Sequence, residues 1–139
     1  MRKRAGGMLR RIDHLVGYRG SVLLFLALQC AASAVRLARP APEVVGTTTY
    51  TYLASIAPLW TLAIPWAVVC VLCLVYAFRD DDKVAFGAIA GLTVFWSVVY
   101  LIGGLVGAIP QAYWQCIVQI VLAGLVLRIS GWPEPVRER

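Results

Sequence analysis

The residues best suited to redox chemistry are Cys70 and Cys73, which form a Cys-x-x-Cys pair. On a helix, residues three apart share a face, so the two thiols could cycle between dithiol and disulfide. A membrane dithiol enzyme needs its pair near the surface, with a second pair to relay electrons. Here the pair lies in a purely apolar run, while Cys30 and Cys116 lie in two other apolar segments, where they could meet each other. Since buried cysteine usually acts as a small apolar side chain, we predict a packing role and keep a thiol oxidoreductase as the alternative.

Three consecutive carboxylates, at residues 80–82, could bind a hard metal ion through oxygen ligands. An apolar segment begins directly after them, so we expect Asp82 or a neighbour to cap a helix instead. The sequence contains no nucleotide-binding loop, nucleophile elbow or zinc motif. We therefore predict a protein that is not an enzyme and has no metal or cofactor.

Glutamine recurs every four residues at Gln111, Gln115 and Gln119, and Gln29 is the comparable polar residue of the first apolar segment. A spacing of four places side chains on one helix face. An amide that faces lipid without a partner costs roughly several kcal/mol, so this polar stripe must face another helix or water. Two interpretations stay open: hydrogen bonds between helices, worth about 1 kcal/mol each, or the lining of an aqueous path or oligomer seam.

These residues belong to long apolar segments that dominate the chain. Of its 139 residues, 60% are hydrophobic and only 14% are charged, and the mean hydropathy is +0.77. Four segments, at about 21–38, 53–78, 84–108 and 112–129, approach or exceed the roughly 20 residues that cross a bilayer. We predict an all-α integral membrane four-helix bundle at 21–130, preceded by a basic amphipathic helix at 1–20 and followed by a tail at 131–139. No Asp, Glu, Lys or His lies inside any of the four segments, and Arg36 and Arg128 lie at the ends of theirs, which argues against a proton-coupled carrier.

Prolines and glycines predict how the helices bend and pack. Pro58 and Pro65 lie in the second segment, where a kink is expected, either as a gating hinge or as a feature of packing. Glycines four apart give a flat strip that a second helix can approach closely. The third segment has two such elements, which predict close neighbours on two sides and a homo-oligomer; they are Gly87 with Gly91 and Gly103 with Gly107.

The charges predict the orientation in the membrane. With both termini in the cytoplasm, 11 of the 13 Lys and Arg residues lie inside and only Arg36 and Arg39 lie outside. This asymmetry favours a multi-pass protein of a bacterial inner membrane and argues against nucleic-acid binding. Residues 39–52, with Pro40 and Pro42, read as an irregular exposed loop that could hold a membrane-protein partner. Four arginines of the basic lead are expected to bind an anionic inner leaflet: Arg4, Arg10, Arg11 and Arg19.

A cleaved signal peptide is the alternative for the first segment, because Ala32-Ser33-Ala34 is similar to a cleavage site.

The whole arrangement resembles small four-span membrane proteins encoded by bacteriophages of actinobacteria. The matching features are the lead ending in residues 15–21, LVGYRGS, the proline-interrupted second span, the acidic hairpin and the Trp-Pro-Glu at residues 132–134. The resemblance implies a membrane protein, in some cases a holin, and supplies no site residues. We therefore predict a protein that acts by self-association, with an anchor or accessory subunit for another envelope protein as the alternative.

Overall fold

The computed structural model describes the backbone of residues 2–79 and 82–132, and the side chains of residues 18–79 and 82–132. Within these ranges the regular structure is entirely helical, which confirms the predicted all-α class. The six helices are α1 (Arg2–Ala38), α2 (Pro42–Val45), α3 (Thr48–Ile56), α4 (Leu59–Tyr76), α5 (Lys83–Leu105) and α6 (Ala112–Ser130).

Four helical segments are long and apolar enough to cross a membrane: Tyr18–Ala38 of α1, Leu59–Tyr76, Lys83–Leu105 and Ala112–Ser130. The first of them continues an uninterrupted helix of 37 residues, so the basic lead and the first span form one element. The spans run alternately up and down. We name the two ends of the bundle by their arginines, the Arg19 end and the Arg36 end.

The spans pack as two antiparallel pairs, α1 with α4 and α5 with α6, and contacts between α4 and α5 join the pairs. The core between them is made of apolar and small side chains that are fully shielded, among them Leu23, Cys73, Phe86, Ile89 and Val126. The opposite faces of the same helices carry many exposed Val, Leu, Ile, Phe and Trp side chains. Such a surface suits lipid as the surrounding solvent, because lipid tails are as apolar as these residues.

Pro58 ends a helix instead of kinking one, which corrects the expected single span at 53–78. The residue before it, Ala57, is extended (φ −159°, ψ 160°), and α4 begins at Leu59. Proline disfavours the helical conformation of the preceding residue and supplies no N–H, so the chain breaks there into α3 and α4. Pro65 lies inside α4, and that helix continues through it.

The predicted loop at 39–52 is also largely helical. Pro42 occupies the first turn of α2, where a missing N–H costs nothing because it would have no helical acceptor. Thr47 closes the turn that follows, its hydroxyl donating to the Val44 carbonyl at 2.8 Å. Tyr50 and Leu53 of α3 are buried, so this short helix is tied to the bundle at the Arg36 end.

The second predicted glycine strip is not a strip, because α5 ends at Leu105. Gly107 lies past that end with φ +71°, a left-handed conformation that only glycine adopts readily. Gly103 is buried inside the protein: a Cβ there would lie 2.6 Å from Cδ1 of Ile109 and 3.0 Å from a ring carbon of Tyr52. Gly103 therefore serves the turn between α5 and α6 and the contact with α3.

At the Arg19 end, one arginine ties three helices together. An Nη of Arg19 lies 2.7 Å from the Asp82 carboxylate and donates to the Ser130 carbonyl at 2.9 Å. Its guanidinium also lies 5.4 Å from the centre of the Phe86 ring. Arg19 thus binds protein groups on α5 and α6, and its predicted binding of lipid head groups stays a prediction. Asp82 holds the N-cap position of α5 without a side-chain capping bond. The predictions for Arg4, Arg10, Arg11 and the segments 80–81 and 133–139 lie outside the described side chains.

Candidate functional site: a polar cleft at the Arg36 end

Three of the four predicted glutamines line one cavity of about 250 Å³. Gln29 reaches it from α1, and Gln115 and Gln119 reach it from successive turns of α6. Gln111 has φ +58°, precedes α6 and lines a second cavity of about 240 Å³ nearer the helix ends. The structure therefore brings Gln115 and Gln119 together with Gln29, whereas Gln111 lies before the helix and does not line that cavity.

The two cavities form one feature because they have five lining residues in common, namely Arg36, Thr49, Tyr50, Tyr100 and Gln115. We call this feature the polar cleft. It lies between α1 and α3 on one side and α6 on the other, and α4 and α5 contribute Trp66 and Trp96. Gln29 and Gln115 are exposed, so the cleft is open along the flank of the bundle.

Arg36 is the only charged residue that lines the cleft in the described part of the chain. Its Nε donates to the hydroxyl of Tyr50 at 3.0 Å, and its guanidinium lies 5.9 Å from the centre of that ring. Tyr50 is 4% exposed and is fixed by the packing of α3. The sequence predicts only that Arg36 lies on the outer side of the membrane. It does not predict the pairing of Arg36 with Tyr50, because that pairing depends on how α3 folds back.

Aromatic rings form the inner wall of the cleft. The centres of the Trp66 and Trp96 rings are 5.9 Å apart, and Trp96 is also 5.9 Å from Tyr100. A spacing of four along α5 places Trp96 and Tyr100 on one face, a signal that the sequence contained. Trp96 is 3% exposed, and its indole N–H has no hydrogen-bond partner within residues 18–79 and 82–132. The amide oxygen of Gln119 is likewise buried without a partner in this part of the chain.

The cysteines are placed differently from the expectation that Cys30 could meet Cys116. Cys30 lies in the buried core against which Cys70 packs, whereas Cys116 is not part of that core, and all four thiols are free. Cys30 and Cys73 are 0% exposed and belong to the apolar core. No group of three His, Cys, Asp or Glu residues with the geometry to hold a metal occurs within residues 18–79 and 82–132.

Gly87 and Gly91 form an exposed strip on α5, and a Cβ added to either would meet nothing within 4 Å. At 100° per residue, Gly87 is about half a turn from Trp96. The glycine strip and the polar cleft therefore lie on different sides of α5. Neither glycine contacts another helix of the same protomer closely.

The apolar exterior, the four long helices and the polar cleft at the depth of the spans define a multi-pass α-helical membrane protein. Comparison with protein-family models, with curated proteins and with solved structures finds no match to this chain.

Proposed function

We propose that this protein acts without catalysis, by self-association in a bacterial inner membrane, as a holin-like permeabiliser. The observation that carries the proposal is the polar cleft that opens on the flank of the bundle at membrane depth. Both termini are proposed to lie in the cytoplasm, in agreement with the distribution of cations.

Because the cleft lies at the depth of the hydrocarbon, its amides raise the free energy of a single copy when they have no hydrogen-bond partner. Gln29 is nine residues from the end of α1, which places it about 14 Å along the helix from Ala38, at 1.5 Å per residue. Gln115 is exposed within the first turn of α6. An amide without a partner in hydrocarbon costs roughly several kcal/mol. A second copy that covers the open flank supplies amide partners and removes that cost.

The glycine strip gives the protein a second, different surface for association. Because the strip and the cleft face different ways, copies that use both surfaces extend into arrays instead of closing as dimers. In such an array, water enters the seams that are lined by glutamine once the density of copies is high enough. This mechanism needs polar side chains and smooth helix faces but no catalytic group.

The test is inducible expression in a bacterium while the membrane potential is recorded with a voltage-sensitive dye. We expect depolarisation above a threshold of expression, and a higher threshold for the variant Gln115→Leu. Thr61→Val is the matched control, because Thr61 is an exposed polar residue of α4 and does not itself line the cleft. A normal potential at high expression, or equal effects of the two variants, would contradict the proposal.

A specific observation also favours the alternative, an anchor or accessory subunit for another envelope protein. Helix α2 buries no residue, so its surface at the Arg36 end is available to a partner. Photo-crosslinking from a residue introduced in place of the exposed Glu43 distinguishes the two functions. Adducts with one heterologous membrane protein, without depolarisation, favour the accessory subunit, whereas adducts with further copies of the chain favour self-association.

A further inference from the structure

We propose that the inner part of the polar cleft binds a monoanionic phosphodiester that carries free hydroxyl groups, the chemistry of the phosphatidylglycerol head group. This inference goes beyond self-association, since binding requires one copy of the chain. It rests on a cation that is held in place, on buried polar atoms that have no partner, and on a cavity of suitable size.

The cation is Arg36, and no carboxylate lines either cavity in the described part of the chain. Its Nε is engaged by Tyr50, which holds the guanidinium plane, whereas its two Nη groups make no hydrogen bond to the described residues. A guanidinium offers parallel N–H groups that match two oxygens of one phosphate. A single positive charge is balanced by a single negative one, as in a phosphodiester.

Two residues that line this cavity carry buried polar atoms with no hydrogen-bond partner among the described residues, the indole N–H of Trp96 and the amide oxygen of Gln119, and we assign the hydroxyl groups of the ligand to them. The first can only donate a hydrogen bond and the second can only accept one. A hydroxyl group does both, so a head group with hydroxyls satisfies the pair. A buried polar atom without a hydrogen-bond partner destabilises the protein, and a bound hydroxyl removes that cost. Ser33 and Gln29 line the same cavity and add further polar contacts.

The size and position of the cavity favour a lipid as the source. Its volume of about 250 Å³ is slightly below the roughly 300 Å³ at which pockets for drug-sized ligands begin. It therefore accommodates a head group but not acyl chains. Val118 lines the cavity and is 52% exposed, so an apolar route leads from the cavity to the flank of the bundle. Acyl chains attached to the bound head group follow that route into the bilayer.

Tryptophan fluorescence gives a direct assay. Trp60, Trp114 and Trp132 are exposed, and none of them lines the inner cavity of about 250 Å³. Replacing all three by Phe leaves Trp66 and Trp96, which do line that cavity, as the only tryptophans. This variant, dilute in a neutral detergent, is titrated with dihexanoyl phosphatidylglycerol and with the phosphatidylcholine analogue. We expect a saturable change with the first lipid only. Equal responses to both lipids, or no response to either, would overturn the proposal.

Two further probes separate the parts of the head group. Dihexanoyl phosphatidylmethanol has the same charge as phosphatidylglycerol but no head-group hydroxyls, and we expect it to bind the parent protein more weakly. In the variant Gln119→Leu the two lipids should bind with equal affinity. Equal affinity of the two lipids for the parent protein refutes the role given to the hydroxyls. Glycerophosphoglycerol has the head group without chains. If glycerophosphoglycerol saturates the fluorescence change at the same concentration as the lipid, the natural ligand is a water-soluble phosphodiester. If glycerophosphoglycerol binds much more weakly, the natural ligand is the lipid.

Arg36→Gln tests the cation, and Arg39→Gln is its matched control, because Arg39 is exposed at the same helix end and lines neither cavity. A charge-assisted hydrogen bond is worth roughly 1.5–3 kcal/mol, so we expect about tenfold weaker binding or more for Arg36→Gln and no more than about twofold for the control. Arg36→Lys keeps the positive charge but loses the parallel N–H groups of the guanidinium, so its affinity should lie between those of Arg36→Gln and Arg39→Gln. Equal losses for Arg36→Gln and Arg39→Gln would reduce the effect to general attraction and refute the site. Binding is measured on isolated copies, so it survives a failure of the self-association proposal.

Discussion

Removing the charge of Arg19 should destabilise the bundle far more than removing the charge of any exposed arginine at the same end. The side chains of Arg19 and Asp82 are only 12% and 8% exposed, and their charged atoms are 2.7 Å apart. Loss of one partner of a buried pair costs about 3–5 kcal/mol, because the other charge is left shielded from water. The pair lies near the end of the spans, so we expect the lower value, about 3 kcal/mol, for Arg19→Met and for Asp82→Asn.

The double variant separates the pair from its parts. With both charges removed, neither charge of this pair is left buried without the other, so the double change should cost about as much as either single change. The coupling energy is then about 3 kcal/mol, the upper end of measured values for contacting residues. The assay is unfolding by dodecyl sulfate in mixed micelles, followed by circular dichroism. Trp132, whose ring is stacked 6.0 Å from that of Tyr18, gives a fluorescence signal from the same end.

Arg128 provides the matched control, because it is an exposed arginine in the last turn of α6. Arg128→Met should change the unfolding free energy by less than about 0.5 kcal/mol, as most surface substitutions do. A loss of stability in Arg128→Met as large as that in Arg19→Met would show that the buried pair contributes nothing special. Additivity of the two single changes in the double variant, to within about 0.5 kcal/mol, would show the same.

Three further outcomes are expected. Gly103→Ala should destabilise the protein by about 1–3 kcal/mol, because its Cβ would lie 2.6 Å from Cδ1 of Ile109. Gly87→Ala should be neutral or stabilising for an isolated copy, because a Cβ there meets nothing within 4 Å. Thermal unfolding in detergent compares the two variants. Gly107→Ala should cost about 1–2 kcal/mol in the same measurement, since alanine is strained at φ +71°. Cys70→Ser should leave the expression threshold for depolarisation unchanged, and loss of the effect in that variant would instead favour thiol chemistry.

The parts of the structure that the sequence predicts are those that depend on local hydrophobicity and helical spacing. The four membrane-spanning segments can be recognised in the sequence because each must be long enough to cross a bilayer. The shared cavity of Gln29, Gln115 and Gln119 follows similar logic, since polar side chains in apolar segments must converge. Neither inference requires knowledge of which helix neighbours which.

The parts that the sequence did not predict depend on where helices end and on contacts made after folding. Pro58 and Pro65 are the same residue in similar apolar surroundings, yet only Pro58 ends a helix. Gly103 and Gly87 both begin a Gly-x-x-x-Gly element, but only Gly103 is enclosed, because its helix ends two residues later and the following turn folds over it. Spacing alone could not separate these cases.

The contacts of Arg19 have a mechanical consequence, because they tie α1 to α5 and α6 at one end, whereas the polar cleft separates α1 from α6 at the other. A rotation of α6 against α1 about the tied end leaves that end nearly unchanged and alters the width of the cleft most. Helix α6, with 19 residues, is about 28 Å long, so a rotation of about 5° displaces its far end by about 2 Å. A small change in the angle between α1 and α6 is thus converted into a change in cleft width of atomic dimensions.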